Sequence, residues 1–208
     1  MKIILYLETN FILGMAKGRN GAMENIWQNP PEKLTIAMPS ICLMESFVAW
    51  EKEQKRSQSF SQAMKIEINE ARRNVRSEDA PSVVDLLGRG ALVYDNLWVD
   101  LDERFKNVFE TLQNRVELIY PKIENVRSTL NEPWLNQKSE RRDDFILQCI
   151  LDHADSNSDK TKAFFSENNK QFGKSVVLNV LREKGVRYFN NRENLQGWLE
   201  STDFGRIG

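Results

Sequence analysis

At 208 residues, with 40% hydrophobic and 28% charged residues and a formal net charge of -1, the chain has the make-up of a soluble globular protein with room for one substantial core. The near-neutral balance excludes strong global attraction to nucleic acid and leaves a local basic patch as the electrostatic route to it. Two cysteines, Cys42 and Cys149, are too few for a metal-binding cysteine cluster; their apolar surroundings suit buried thiols in a reducing compartment. No segment reaches the roughly 20 apolar residues of a membrane span. The apolar run at 3–7 is too short for a signal sequence and meets Glu8 at once, so a soluble, cytoplasmic protein with no membrane partner is the expectation.

The chain opens with Ile3, Ile4, Leu5, Tyr6 and Leu7, then breaks into Glu8, Thr9 and Asn10. A short, nearly continuous apolar run predicts a strand buried on both faces, as in a parallel sheet. Thr9 and Asn10 suit a helix N-cap, and Phe11, Ile12, Met15 and Ala16 follow at helical spacing. Residues 10–27 read as two short helices, split at the Gly18-Arg19-Asn20-Gly21 break. A second strand is expected over 34–38, closed by Pro39. Ser40 then caps a helix that carries Ile41, Met44, Phe47 and Val48, with Glu45 about one turn inside.

From 51 to 115 the chain reads as a long, charged helical insertion. Breaks are expected at Pro81 and at Gly88-Arg89-Gly90, and Leu97, Leu101, Phe105, Val108, Phe109 and Leu112 fit one stripe. A third strand is predicted over 116–120, stopped by Pro121. A polar approach at 138–144, with Lys138, Arg141, Arg142, Asp143 and Asp144, leads into a helix at 145–151 that is apolar nearly all round. A fourth strand at 161–166, a helix at 174–184 ending at Gly185, a fifth strand at 186–189 and a helix at 193–199 complete the pattern. Strands alternating with helices predict a three-layer αβα fold around a parallel sheet of about five strands. The expected organisation is a single domain, 1–208, with 51–115 inserted in it.

Glu8 falls at the carboxyl end of a core strand, where open α/β sheets place their ligands. Glu45, Asp143 and Asp144 lie at or near comparable boundaries. Sheet order reversing near the first strand would gather these acids in one crevice. Converging carboxylates repel unless a cation neutralises them or one is protonated. Oxygen donors with a single histidine in the chain favour Mg²⁺ or Mn²⁺ over zinc, and such ions suit phosphodiester hydrolysis. Glu8 also suits a helix-start acid that complements the macrodipole. One of Asp143 and Asp144 serves the helix start; Asp144 leads directly into the apolar run and is the favoured ligand. His153, the one histidine, fits a partly exposed helix end better than a general base. Arg141 and Arg142, beside the acidic pair, are candidates to hold a phosphate backbone. The basic residues of the insertion are interleaved with acids, as on a solvated helix face.

Four short motifs in order resemble the PIN-domain nucleases: Tyr6-Leu7-Glu8-Thr9-Asn10-Phe11-Ile12, Pro39-Ser40 with Glu45, Arg142-Asp143-Asp144-Phe145-Ile146-Leu147, and Phe165-Ser166-Glu167-Asn168 with Gln171. The resemblance covers roughly 1–50 and 116–190. It implies a metal-dependent endoribonuclease with Mg²⁺ or Mn²⁺ on Glu8, Glu45 and Asp144 (or Asp143). It places Asn168 where many members carry a fourth acid, as a neutral ligand or water-orienting group. Thr9, Asn10, Arg141, Arg142 and Ser166 are the substrate-binding candidates, although Ser166 and Asn168 also suit a plain turn. The family usually has Asp where this chain has Glu8, one methylene longer. RNA is the implied partner, with an antitoxin protein and a second copy of the chain as further candidates, since many members are toxins of toxin–antitoxin pairs. The alternative is a catalytically silent PIN-like module that binds RNA or a protein; a DNA-directed, structure-specific nuclease would need more acids than the motifs supply.

Overall fold

A computed structural model describes residues 2–19, 21–135 and 140–204. Its centre is β1 (Ile3–Tyr6), flanked by β2 (Leu34–Pro39) and by β4 (Thr161–Phe165). All pairings are parallel, and the strand order is β3-β2-β1-β4-β5, with β3 (Val116–Ile119) and β5 (Val186–Phe189) at the edges. Strand β1 is apolar throughout because neighbours on both sides and helices on both faces leave it no solvated surface. Right-handed crossovers put the β1–β2 and β2–β3 connections on one face and the β3–β4 and β4–β5 connections on the other. The order reverses between β1 and β4, so a crevice opens at the carboxyl ends of these two strands.

The first face carries α1 (Thr9–Ala16), α2 (Gly21–Gln28) and the bases of two long helices, α3 (Ile41–Arg73) and α4 (Ala80–Arg115). The second carries α5 (Ile123–Asn131), α6 (Arg141–Asp155) and α8 (Ser175–Glu183). Short α7 (Asn169–Phe172) follows β4, and α9 (Arg192–Leu199) packs on β5 and α2. The two cysteines are free and buried, and among the described residues no helix is long and apolar enough to cross a membrane.

Several expectations change. Helix α1 starts at Thr9, so its N-cap is Glu8 itself, whose carboxylate accepts from Asn10 N–H. Gly18, at φ 65°, makes the turn that ends α1. Ser40 holds the N-cap position of α3 but makes no capping hydrogen bond. On α3 the buried side is Cys42, Ser46 and Trp50, whereas Met44, Phe47 and Val48 are exposed. Phe47 instead stacks on Phe109 at the margin of the core.

The α3–α4 pair is a hairpin of 33- and 36-residue helices, about 50 Å long. The break expected at Pro81 falls just before it, between Arg73 and Ala80, and Pro81 itself sits in the first turn of α4, where a missing N–H costs nothing. Gly88-Arg89-Gly90 does not interrupt α4; each glycine costs about 1 kcal/mol in a helix interior, which lowers its stability without forcing a break. Trp98, Phe105, Val108 and Leu112 face α3 and the core, while Leu97 faces solvent. Near the hairpin base Trp50 lies flat on Phe105 at 4.4 Å and donates Nε1–H to Asp102 at 3.1 Å.

Strand β3 ends at Ile119 and leaves Tyr120 exposed. Helix α5 was not expected; its apolar residues Ile123, Val126 and Leu130 face outward, so no core stripe marked it. Helix α6 begins four residues before the apolar run, taking in Arg141–Asp144 as its first turn. Lys138 lies outside the described residues.

Candidate active site

The carboxyl ends of β1, β2 and β4 deliver three segments to one crevice: Glu8 at the start of α1, Glu45 on the second turn of α3, and Ser166 to Asn168 after β4. The first turn of α6 closes it from the side. A cleft of about 270 Å³ results, lined by Glu8, Asn10, Glu45, Lys52, Arg142, Asp143 and Asn168 among others.

Glu8 is 4% exposed. Its Oε2 accepts from Asn10 N–H at 2.8 Å and its Oε1 from the Ser166 hydroxyl at 3.0 Å. Burial pushes this carboxyl up to about 7; the two donors oppose the shift, and the charges of Glu45 and Asp143 add to it. The bland reading of Glu8 as a helix-start acid is thus part of its role. The same cap that starts α1 holds the carboxylate at the strand end.

Glu45 is engaged at both oxygens. Thr9 donates its hydroxyl to Oε2 at 2.5 Å, and the Arg142 guanidinium lies 3.1 Å from Oε1. Asp143 is half-buried, and its carboxyl is pushed up to about 6 by burial and then by the Glu45 charge, against the pull of Arg142. Asn168 Nδ2–H donates to Asp143 Oδ1 at a long 3.4 Å. Behind Asp143 lies a buried acid, Glu140, which accepts from Lys174 Nζ at 2.7 Å.

The neighbour Asp144, favoured from sequence as the third acid, points elsewhere. It is fully buried, and its Oδ1 accepts from the backbone N–H groups of Trp134 (2.8 Å) and Leu135 (3.0 Å). Burial raises this carboxyl too, with those two N–H groups opposing. Asp144 pins the segment that leads into α6, and Asp143 enters the cleft in its place. Two adjacent residues on a helix lie about 100° apart, so only one of them can face the crevice.

The substrate-binding candidates also separate. Thr9 and Ser166 are buried, and their hydroxyls serve Glu45 and Glu8; Ser166 also accepts from Asn168 N–H at 3.0 Å. Both position the acids; Thr9 is also part of the cleft lining, and Ser166 lies behind it. Asn10 and Arg142 line the cleft, whereas Arg141 is exposed outside it. Sequence reasoning missed Lys52 as a cleft residue. The available signal was its spacing: it lies seven residues after Glu45, two turns along the same face of α3. His153 sits away from the cleft between Tyr6 OH (3.0 Å) and Glu117 (3.1 Å).

A larger groove of about 750 Å³ runs between α3 and α4. Its Asp95 and Asp102 already accept from Ser61, Trp50 and Gln54, so these acids serve the hairpin and do not converge on an open point. In the crevice the donors are hard oxygens, which is the chemistry of Mg²⁺ or Mn²⁺. Among the described residues no three acidic, histidine or cysteine side chains are drawn in closely enough to ligate one ion together. The cleft therefore gathers Glu8, Glu45 and Asp143 without assembling a closed set of ligands.

No curated protein and no solved structure gives a significant match to the chain. A family model described as PIN domain matches residues 5–172. PIN domains are generally nucleases, hydrolases that typically use divalent metals. The matched span runs from within β1 to α7 and takes in Glu8, Glu45 and Asp143, and on that match the chain belongs to the PIN-domain family.

Proposed function

We propose that the protein is a metal-dependent endoribonuclease whose working acids are Glu8, Glu45 and Asp143, with Asp143 replacing Asp144 in the set. The observation that best supports this is the convergence of these three carboxylates, from three different elements, on one cleft at the switch point of the sheet. Two of them are raised towards neutrality partly by the others' charge, the electrostatic state that a bound cation relieves. A divalent ion held there would supply a polarised water and offset charge on the phosphodiester.

The chain's own groups divide the remaining work. Asn10 N–H and Ser166 fix the Glu8 carboxylate, and Thr9 fixes that of Glu45. Asn168, beside Asp143, can orient a water or a phosphate oxygen. Arg142 and Lys52 supply positive charge at the cleft, where a nucleic-acid backbone needs it. The hydroxyls bonded to these carboxylates, Thr9 and Ser166, are buried and held as positioning groups, so hydrolysis proceeds by direct in-line attack of water without a covalent intermediate. Cleavage of single-stranded RNA with Mn²⁺ tests the reading. The wild type should cut, and Glu8→Ala and Asp143→Ala should not. Metal-dependent cutting undiminished in Glu8→Ala would overturn the site. A toxin role is the narrower form: expression should arrest growth, Glu8→Ala should relieve the arrest, and a small DNA-binding antitoxin should be encoded beside the gene.

The second reading is a silent module that binds RNA or a protein. It is favoured by one feature, the occupation of both Glu45 oxygens by Thr9 and Arg142. Tight RNA binding without cleavage under any divalent metal would select it.

A further inference from the structure

We propose that Lys174 is a positioning residue for Asp143, acting through a buried strut to Glu140 that ties the start of α6 to the turn after β4. The effect on rate rests on the nuclease reading; the packing does not. Glu140 is the N-cap of α6, whose first turn carries Arg142 and Asp143 into the cleft. Lys174 is the N-cap of α8 and follows the turn that begins at the cleft residue Asn168. Its Nζ donates to Glu140 Oε1 at 2.7 Å, across 34 residues of sequence. The Glu140 side chain is 3% exposed and that of Lys174 35%. The carboxylate is thus held inside the protein, while the ammonium still reaches water. An exposed ion pair contributes little, but a buried carboxylate depends on its cation, and removing that cation forces a local rearrangement or a protonation.

The chain between Asn168 and Lys174 is folded too tightly to absorb movement. Helix α7 is a single turn, and its Phe172 is fully buried, edge-on to Phe164 of β4 at 5.0 Å. The Asn168 carbonyl accepts from the N–H groups of Gln171 and Phe172, and the Asn169 carbonyl from that of Gly173. A Cβ on Gly173 would lie 2.1 Å from Asn169 Oδ1 and 2.4 Å from its carbonyl oxygen, so the turn closes on itself with room for glycine only. Through this turn, a fixed Lys174 fixes Asn168. Asn168 Nδ2–H in turn reaches Asp143 Oδ1 at 3.4 Å. The contacts close a ring: Glu140 to Lys174, Lys174 through α7 to Asn168, and Asn168 to Asp143.

Geometry rather than charge is the means. Glu140 raises the Asp143 carboxyl and Lys174 lowers it, so the intact pair brings no net charge to bear there. Lys174 does not line the cleft, which separates it from Arg142 and Lys52 as a cation for the substrate. What the pair supplies is the place of Asp143. A misplacement of about 1 Å in a reacting group costs on the order of 100-fold in rate.

The test uses the full chain with Lys174→Met, which keeps the stem and removes the charge, with Glu140→Gln, and with both. Steady-state cleavage of single-stranded RNA with Mn²⁺ should show kcat lowered about 10- to 100-fold in Lys174→Met, with KM within about twofold of wild type. Glu140→Gln should lower kcat too, and the double variant should lose no more than Lys174→Met alone, as expected of a unit. Lys174→Arg, which keeps the cation, should recover most of the loss. Opposite effects of the two single substitutions would make the role electrostatic, and a raised KM with unchanged kcat would make Lys174 a substrate cation. Either result overturns the proposal. Hydrogen exchange in the metal-free chain reads the strut without activity. The amides of Phe145 to Gln148, bonded back to the first turn of α6, should exchange at least ~10-fold faster in Lys174→Met, with β1 and β4 unchanged. Unchanged exchange at these amides would also overturn it. Faster exchange in a chain whose wild type cuts no RNA would uphold the strut and bring down the nuclease reading instead.

Discussion

The cleft and the outer half of the α3–α4 hairpin break opposite rules of burial. In the cleft, carboxylates are taken out of water and crowded together, with Glu8 4% exposed and its carboxyl lifted to about 7. On α4, aliphatic side chains that could have been buried are left in water, around a glycine that weakens the helix. Each arrangement costs the isolated chain stability, even where, as with the Glu8 cap on α1, one contact gives some back. Each is a local conflict with the rest of the sequence, and such conflicts concentrate where a protein does something besides fold. The difference lies in what would relieve them: a cation in the cleft, burial of the aliphatic side chains on the hairpin.

The largest effects should come from the adjacent pair Asp143 and Asp144, which bring the contrast between function and stability down to one residue step. Asp143→Ala should lower Mn²⁺-dependent cleavage by two orders of magnitude or more, about 3 kcal/mol of transition-state stabilisation. Its melting temperature should hold or rise, because a crowded carboxylate is removed. Asp144→Ala should do the reverse at the level of folding. It strands the N–H groups of Trp134 and Leu135 inside the protein, at a cost of roughly 2–4 kcal/mol measurable by urea unfolding. Asp143→Ala cutting at the wild-type rate would return the third acid to Asp144 or remove it altogether.

The sheet was legible because each core strand is a short apolar run closed by a polar or proline stop, as at Tyr6-Leu7-Glu8 and Met38-Pro39-Ser40. Helix phase was not legible to the same degree. Asp143 and Asp144 have the same chemistry, and the choice turned on where α6 begins, four residues earlier than its apolar run suggests. Likewise Met44 and Leu97 fit helical stripes drawn from hydrophobicity alone, yet both face water. Such a stripe locates an apolar face but does not say whether this chain or another covers it. The second-turn spacing of Glu45 and Lys52 was present in the sequence. It carried no weight while Lys52 stood among alternating charges. The Gly88-Arg89-Gly90 step reads locally as a break, yet α4 runs straight through it, with Ala91 buried one residue on.

The cleft's conflict should also appear as a pH dependence. Glu8 keeps its proton up to about 7 in the folded chain and to its ordinary value near 4.5 when unfolded. Asp143 behaves likewise up to about 6. Between these limits the folded state binds more protons than the unfolded state, so stability falls as pH rises from about 5 to 7. Glu8→Gln, neutral at every pH, should remove the Glu8 part and leave the metal-free variant more stable than wild type at pH 8, by at most about 3 kcal/mol. Mn²⁺ binding runs the other way. It needs the carboxylates free of protons, so wild-type affinity should climb across the same window. A stability profile that is flat for the wild type, or equally steep for Glu8→Gln, would show that Glu8 does not titrate in this range.

The smallest effect belongs to Arg142, the one guanidinium among the described residues that lines the cleft. It is paired with Glu45 at 3.1 Å, yet its own side chain is 67% exposed. An ion pair so open to water is worth at most about 1 kcal/mol. Arg142 can therefore leave Glu45 at small cost when a phosphate offers it a bidentate partner. Arg142→Ala frees the Glu45 oxygen and should tighten Mn²⁺ binding by calorimetry a few-fold, up to about fivefold. The same substitution should weaken RNA binding, most clearly at low salt. Opposite signs for metal and RNA are what a movable cation in a carboxylate cleft requires. Parallel losses would instead make Arg142 a structural partner of Glu45, and the cleft as rigid as the sheet beneath it.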